Sequence, residues 1–249
     1  MHVKPEELLI ATVARLLTGV RHVAVGMASP IPGSAALLQN VLSKGKTHVT
    51  VLGSTKEQCF ADTGVELFDC AGEGRIDAFF LGGGQIDGSA NLNLVGIGEY
   101  PKMKVRWPGT FGSAYLYFVI PRVILLREEH TRRVLVPKVD FISAPGTSPP
   151  NVYRPGGPVA LVTNRCLFSF DRTKARFRLE SVHPGETVES IREHTGFDYD
   201  VAETVGETPA PDAETLRLIR TDVAVRLADA YPQFAARVFG VTPRPRAAE

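Results

Sequence analysis

The stretch Asp77-Ala-Phe-Phe-Leu-Gly-Gly-Gly-Gln-Ile-Asp-Gly-Ser-Ala-Asn-Leu-Asn93 opens on an apolar run and breaks at once into three glycines. Ala78 to Leu81 reads as a strand buried on both faces, the pattern of a parallel sheet. Gly82, Gly83 and Gly84 carry no Cβ, so the backbone N–H groups there can approach a ligand closely and the chain can turn through positive φ. Gln85, Asp87, Asn91 and Asn93 stand just past the carboxyl end of that strand, the edge at which open α/β sheets bind ligands. A second glycine loop follows in residues 104–114, where Gly109 and Gly112 come after two cations, Lys104 and Arg106. As bare patterns, both loops serve equally well as plain connections between strands.

Working outward, 249 residues suffice for one large α/β domain. Hydrophobic residues make up 44% and charged residues 22%, ordinary values for a globular chain. With 28 basic against 27 acidic residues the formal charge is +1, so no basic field calls for nucleic acid or an anionic membrane. Three cysteines, Cys59, Cys70 and Cys166, are too few and too scattered for a disulfide framework or a zinc site, and no metal is expected. The amphipathic N-terminus lacks the apolar core of a cleavable signal, and no run approaches about eighteen apolar residues. A cytoplasmic location is the expectation.

Toward the N-terminus, Pro5 and the spacing of Leu8, Leu9, Val13, Leu16 and Leu17 predict a helix over 5–19. Residues 20–25 read as a first strand, 26–32 as a proline turn and 34–42 as a helix. His22 reads as a packed core histidine. The alternating, β-branched run 47–54 is a second strand. It ends on Ser54, with Glu57 three residues on. Cys59 has no histidine after it in the loop to activate it. Toward the C-terminus, 121–126 is a further buried strand, Arg127 to Arg133 a solvated turn, and 144–158 a proline- and glycine-rich surface loop. Strand character resumes at 159–163, 167–170 and 176–182. Thr187 caps a helix stopped by Gly196, residues 205–211 are loop-like, and Asp212 caps a further helix. The expected organisation is one domain over 1–242 and a disordered tail over 243–249. Neither an internal repeat nor a G-x-G-x-x-G fingerprint is present.

Taken together, GMASP (26–30), GGGQIDGSANLN (82–93), KVRWPGTFG (104–112), VPKVDF (136–141) and HPG…TGF (183–197) occur in one order. In that order they resemble the β subunit of family I CoA-transferases of the glutaconate type, over roughly residues 5–200. The resemblance implies an open α/β fold with a mostly parallel sheet flanked by helices. It implies an acyl-CoA thioester as substrate, no bound cofactor, and an α subunit completing the pocket. Carried over position by position, Pro30 lines the acyl pocket. Gly82, Gly83, Gly84, Gln85, Asn91, Arg106, Gly109 and Gly112 then belong to the substrate and CoA contacts. In such transferases the second strand ends in a glutamate that attacks the thioester carbonyl, passing through an anhydride to a glutamyl-CoA. Here Ser54 stands at that position.

Two readings of the nucleophile follow. Glu57 recovers the carboxylate if the loop is distorted, or it is an ordinary loop charge and Ser54 is left without a base nearby in sequence. Without a glutamate, relatives of this kind run ring-opening hydrolysis or decarboxylation of CoA thioesters. A non-catalytic subunit that stabilises its α partner is the reading from another class. A sugar-phosphate isomerase of the same general fold is disfavoured, since no acid–base pair stands beside a phosphate cradle.

Overall fold

The computed structural model describes residues 2–62 and 64–241. The expected disordered tail at 243–249 lies outside the described residues.

In chain order the first elements are helix α1 (Pro5–Leu16), strand β1 (His22–Val25), helix α2 (Pro30–Leu42), strand β2 (His48–Val51) and helix α3 (Val65–Gly72). Strand β3 (Ala78–Leu81) leads into four two-residue strands, β4 (Gln85–Ile86), β5 (Leu92–Asn93), β6 (Gly96–Ile97) and β7 (Val105–Arg106). Helix α4 (Ser113–Val119) and strands β8 (Arg122–Arg127), β9 (Pro158–Thr163), β10 (Cys166–Asp171) and β11 (Arg176–Val182) come next. Helix α5 (Val188–His194), strand β12 (Asp200–Glu207) and helices α6 (Ala213–Leu218), α7 (Ala224–Leu227) and α8 (Pro232–Phe239) follow.

These elements form two compact units, Met1–Asp69 with Pro209–Glu249, and Cys70–Thr208, the division falling within α3. In the first, β1 and β2 pair in parallel with His22 opposite His48 and Val25 opposite Val51. Ala35, Ala36, Leu37 and Leu38 of α2 are all buried, since this helix is apolar nearly all round. The helix starts at Pro30 rather than at Ser34. Proline suits the first turn because its missing N–H would have no partner there anyway.

In the second unit β3 pairs with β8, and β8 with β9, in parallel, while β9, β10 and β11 run antiparallel and β12 adds to β11 in parallel. The fold class is thus α/β with a mostly parallel sheet, as the wording of residues 77–93 implies. The core between β10 and β11 is aromatic. Phe168, Phe177 and Phe197 lie with ring centroids 5.4–6.4 Å apart, each such pair worth about 0.5–1.5 kcal/mol beyond its buried area. Contrary to the expectation from its polarity, the segment 205–211 is not all loop. Strand β12 runs through Glu207 with an exposed, charged outer edge, as edge strands tolerate.

Candidate functional site

The turn after β2 is held by two carboxylate clamps inside the first unit. Ser54, 5% exposed, donates its hydroxyl to Asp229 Oδ2 at 2.7 Å and accepts the Glu57 N–H at 2.9 Å. Asp229 also accepts the Thr55 N–H at 2.6 Å and the Thr55 hydroxyl at 2.8 Å. Burial raises the Asp229 pKa, but these hydrogen bonds outweigh it and leave the carboxyl below its ordinary value. Glu57 is not a solvated charge. It meets Arg226 in a two-pronged pair, Nε to Oε1 and Nη2 to Oε2 both at 2.7 Å, and Arg226 Nη1 reaches Asn40 Oδ1 at 2.8 Å. Arg226 and Asp229 stand three residues apart, one helical turn, so one stretch of the C-terminal segment secures both candidate reactive residues. Pro30, at the head of α2, is half-buried, and Met27 before it is 73% exposed. A Cβ at Gly53 would lie 3.8 Å from Met27 Cε, so the turns after β1 and β2 lie side by side.

The second unit holds a cavity of about 310 Å³ at the carboxyl ends of β3 and β8. Gly82, Gly83, Gly84, Gly109, Trp107 and Arg127 line it, together with Arg133. Parallel pairing of Leu81 with Leu125 brings Gly82 beside Leu126, one residue before Arg127. The glycines are needed for packing as much as for turning. A Cβ on Gly82 would come 2.9 Å from the Leu126 carbonyl, and one on Gly84 would run into the Trp107 indole. The Gly84 N–H is already spent on the Asn93 carbonyl at 2.9 Å. Gly109, at φ +109°, has open space where a side chain would be, so only its backbone conformation requires glycine.

Arg127 and Arg133 escaped the sequence reading, which took 127–133 for a solvated turn. Arg133 is bound to Glu129, with Nη2 at 2.7 Å from Oε2. Arg127 reaches Glu129 only at 3.5 Å, and its buried Nε has no acceptor among the described residues. An arginine closing a buried parallel strand was the available signal, because strand carboxyl ends are where such sheets bind ligands.

The polar residues after the glycines are hydrogen-bonded within the loops. Gln85 Oε1 accepts from Asn93 Nδ2 at 2.8 Å and from the Asp140 N–H at 3.0 Å. Asp87 accepts the Ser89 and Asn91 N–H groups, both at 3.1 Å, and Asn91 Oδ1 accepts the Gly146 N–H at 3.1 Å. Asn91 borders a second cavity of about 530 Å³ with Lys138, Lys174 and Arg176. Arg106 is exposed and lies 5.7 Å over the Tyr100 ring, while Gly112 takes φ +69° to open α4. His130 and His183 are buried. His130 lies between the Thr163 and Thr195 hydroxyls at 2.8 and 2.9 Å, and burial holds its pKa down to about 3. His183 donates from Nε2 to the Thr163 carbonyl at 2.9 Å, and burial lowers its pKa too.

This mostly parallel α/β chain places its glycine loops and an arginine at strand carboxyl ends, the edge at which open α/β sheets bind ligands. The coenzyme A transferase family model matches residues 6–194, and the chain belongs to that family. The β subunit of 3-oxoadipate CoA-transferase from Pseudomonas knackmussii is 38% identical over 167 residues, 64% of this chain and 63% of that protein. A cholesterol ring-cleaving hydrolase IpdB subunit of Rhodococcus jostii is 31% identical over 159 residues, 62% of each chain. The crystal structure of the decarboxylase AibA/AibB superposes with a TM-score of 0.78 at 25% identity, covering 96% of this chain and 100% of that one. The chain aligns with less than two thirds of the length of the curated relatives it matches. Among the described residues no helix is long and apolar enough to cross a membrane.

Proposed function

We propose that the chain is the β subunit of a heteromeric enzyme acting on acyl-CoA thioesters, which polarises the thioester without forming a glutamyl-CoA. The observation that carries this reading is the state of the turn after β2. At the position where the resemblance calls for a glutamate, Ser54 is bound into a clamp by Asp229, and the next carboxylate along the chain, Glu57, has both oxygens on Arg226. A carboxylate held on both oxygens by a guanidinium is a weakened nucleophile, and freeing it costs its ion pair. Asp229 accepts the Ser54 proton, yet Ser54 Oγ also receives backbone N–H bonds, which lower its nucleophilicity as they fix the turn.

The glycine cavity, by contrast, has groups to offer. A thioester carbonyl gathers negative charge on its oxygen during hydrolysis or enolate formation, and fixed donors stabilise that charge. Arg127 lines the cavity and its buried Nε has no acceptor among the described residues, and Gly82 and Gly83 line the same cavity. About 310 Å³ suits an acyl group and its thioester, not a whole coenzyme. Exposed Phe111 (79%) and Tyr153 (86%) of the second unit fit cover by an α subunit, and relatives named as one subunit of a pair support that partner. Coenzyme A enters as part of the substrate; no further cofactor is called for.

Mass spectrometry of products tests the proposal. The co-purified αβ pair is fed a panel of acyl-CoAs with and without free carboxylate acceptors. Hydrolysed or decarboxylated products, unchanged by acceptors, are expected. Appearance of acceptor-CoA would restore ordinary transfer. No turnover with any acyl-CoA would make the chain a structural subunit.

A further inference from the structure

Strand pairing in the first unit assembles a donor set that spacing along the chain conceals. His22 and His48 open β1 and β2 and stand opposite one another in register, their rings 4.8 Å apart. Past Ser54 the chain doubles back, the Val51 N–H donating to the Glu57 carbonyl at 2.7 Å. That return carries Cys59 to Thr50, two residues beyond His48 and so on the same face of β2. One ligand atom from each of His22, His48 and Cys59 lies within 4.8 Å of the other two. Thr50 Oγ1 lies 2.8 Å from His22 Nε2 and 3.0 Å from Cys59 Sγ.

We infer that His22, His48 and Cys59 form a binding site for a borderline-soft divalent cation, of which Zn²⁺ is the type. Two imidazoles and a thiolate are the donors such an ion selects, with a fourth position left to water. Bonds of about 2.0–2.3 Å bring tetrahedral ligand atoms to roughly 3.5 Å apart. The remaining closure falls to His48 and Cys59, both exposed and able to turn. The buried Thr50 hydroxyl supplies the outer hydrogen bond that fixes a ligating ring or thiolate. On binding, the Cys59 thiol loses its proton to solvent and the sulfur lone pair goes to the metal, so uptake releases one proton and changes no oxidation state. The site lies at the amino ends of β1 and β2, whereas Ser54 follows the carboxyl end of β2. Its effect on the turn is therefore mechanical: the metal ties the returning segment to both strands.

The test uses the full chain, with its α subunit where the two co-purify, and the metal alone as probe. Zn²⁺ is expected to bind with one equivalent lost on Cys59→Ser, to weaken at least tenfold on His48→Ala, and to shield Cys59 from a thiol reagent in peptide mapping. Co²⁺ in its place should give a thiolate-to-metal absorption band that Cys59→Ser removes. Both substituted residues are exposed, and an unchanged far-UV circular dichroism spectrum shows that the variants fold. Zn²⁺ stoichiometry and affinity identical in wild type and both variants, or Cys59 labelling indifferent to Zn²⁺, would overturn the inference.

Discussion

The turn after β2 and the glycine loops after β3 begin alike, as buried strands running into small and polar residues, yet they use their polar groups in opposite ways. In the first, every candidate reactive group has an internal partner: Ser54 and Thr55 on Asp229, Glu57 on Arg226. In the second, Arg127 keeps a buried donor without an acceptor among the described residues, beside a cavity lined by glycine. A saturated network fixes shape, and an unsatisfied one waits for a ligand. On the proposed reading the turn is structural and the cavity carries the chemistry.

Breaking the turn should cost the most. Arg226→Ala leaves the largely buried Glu57 carboxylate without its partner, and a loss of about 2–3 kcal/mol is expected after allowing for the solvent contact of Arg226. Urea unfolding reads it, and Glu57→Gln in the same background should recover part of the loss. A variant as stable as wild type would mean the clamp is ornamental. Breaking the cavity should spare stability and remove turnover. Gly84→Ala pushes the Trp107 indole out of place, and roughly 10²-fold lower kcat/KM is expected with the far-UV spectrum unchanged. Activity within threefold of wild type would detach the cavity from the reaction.

Acid sharpens the comparison, because the buried histidines lie in the unit that holds the cavity. His130 titrates near 3 when folded and near 6.5 when unfolded, so stability is complete above pH 6.5 and is lost as pH falls toward 3. The slope is about 1.4 kcal/mol per pH unit, or about 2 kcal/mol between pH 7 and pH 5. His183 acts in the same sense. Unfolding midpoints at pH 7, 6 and 5 should fall in step, and His130→Gln should flatten the trend; an unchanged slope in that variant would remove His130 as its source. The smallest effect belongs to Ser54→Ala. It should lose about 1 kcal/mol of stability through the clamp while kcat stays within about threefold. A collapse of kcat at unchanged stability would return Ser54 to the chemistry.

Much of this architecture was legible. The apolar run Ala78–Leu81 before Gly82 marked the buried parallel strand, Thr187 and Asp212 do cap α5 and α6, and five ordered motifs pointed to the family. The site was less so, for a reason of distance. Ser54 and Asp229 are 175 residues apart, and Glu57 and Arg226 are 169 apart, beyond any local pattern. Gln85 and Asn91 hold neighbouring backbone, a role that polarity at a strand end does not reveal. His22 and His48 were hidden from each other, because only the register of β1 against β2 makes them neighbours.

The central claim is that no acyl or CoA group ever becomes bonded to the turn after β2. Incubation of the αβ pair with acyl-CoA, borohydride reduction, and peptide mass mapping of residues 48–62 test it directly. The account predicts no CoA-dependent mass change on Ser54 or Glu57 and no loss of activity on reduction. A CoA-dependent, borohydride-trapped adduct on Glu57, with activity lost in proportion to labelling, would contradict it.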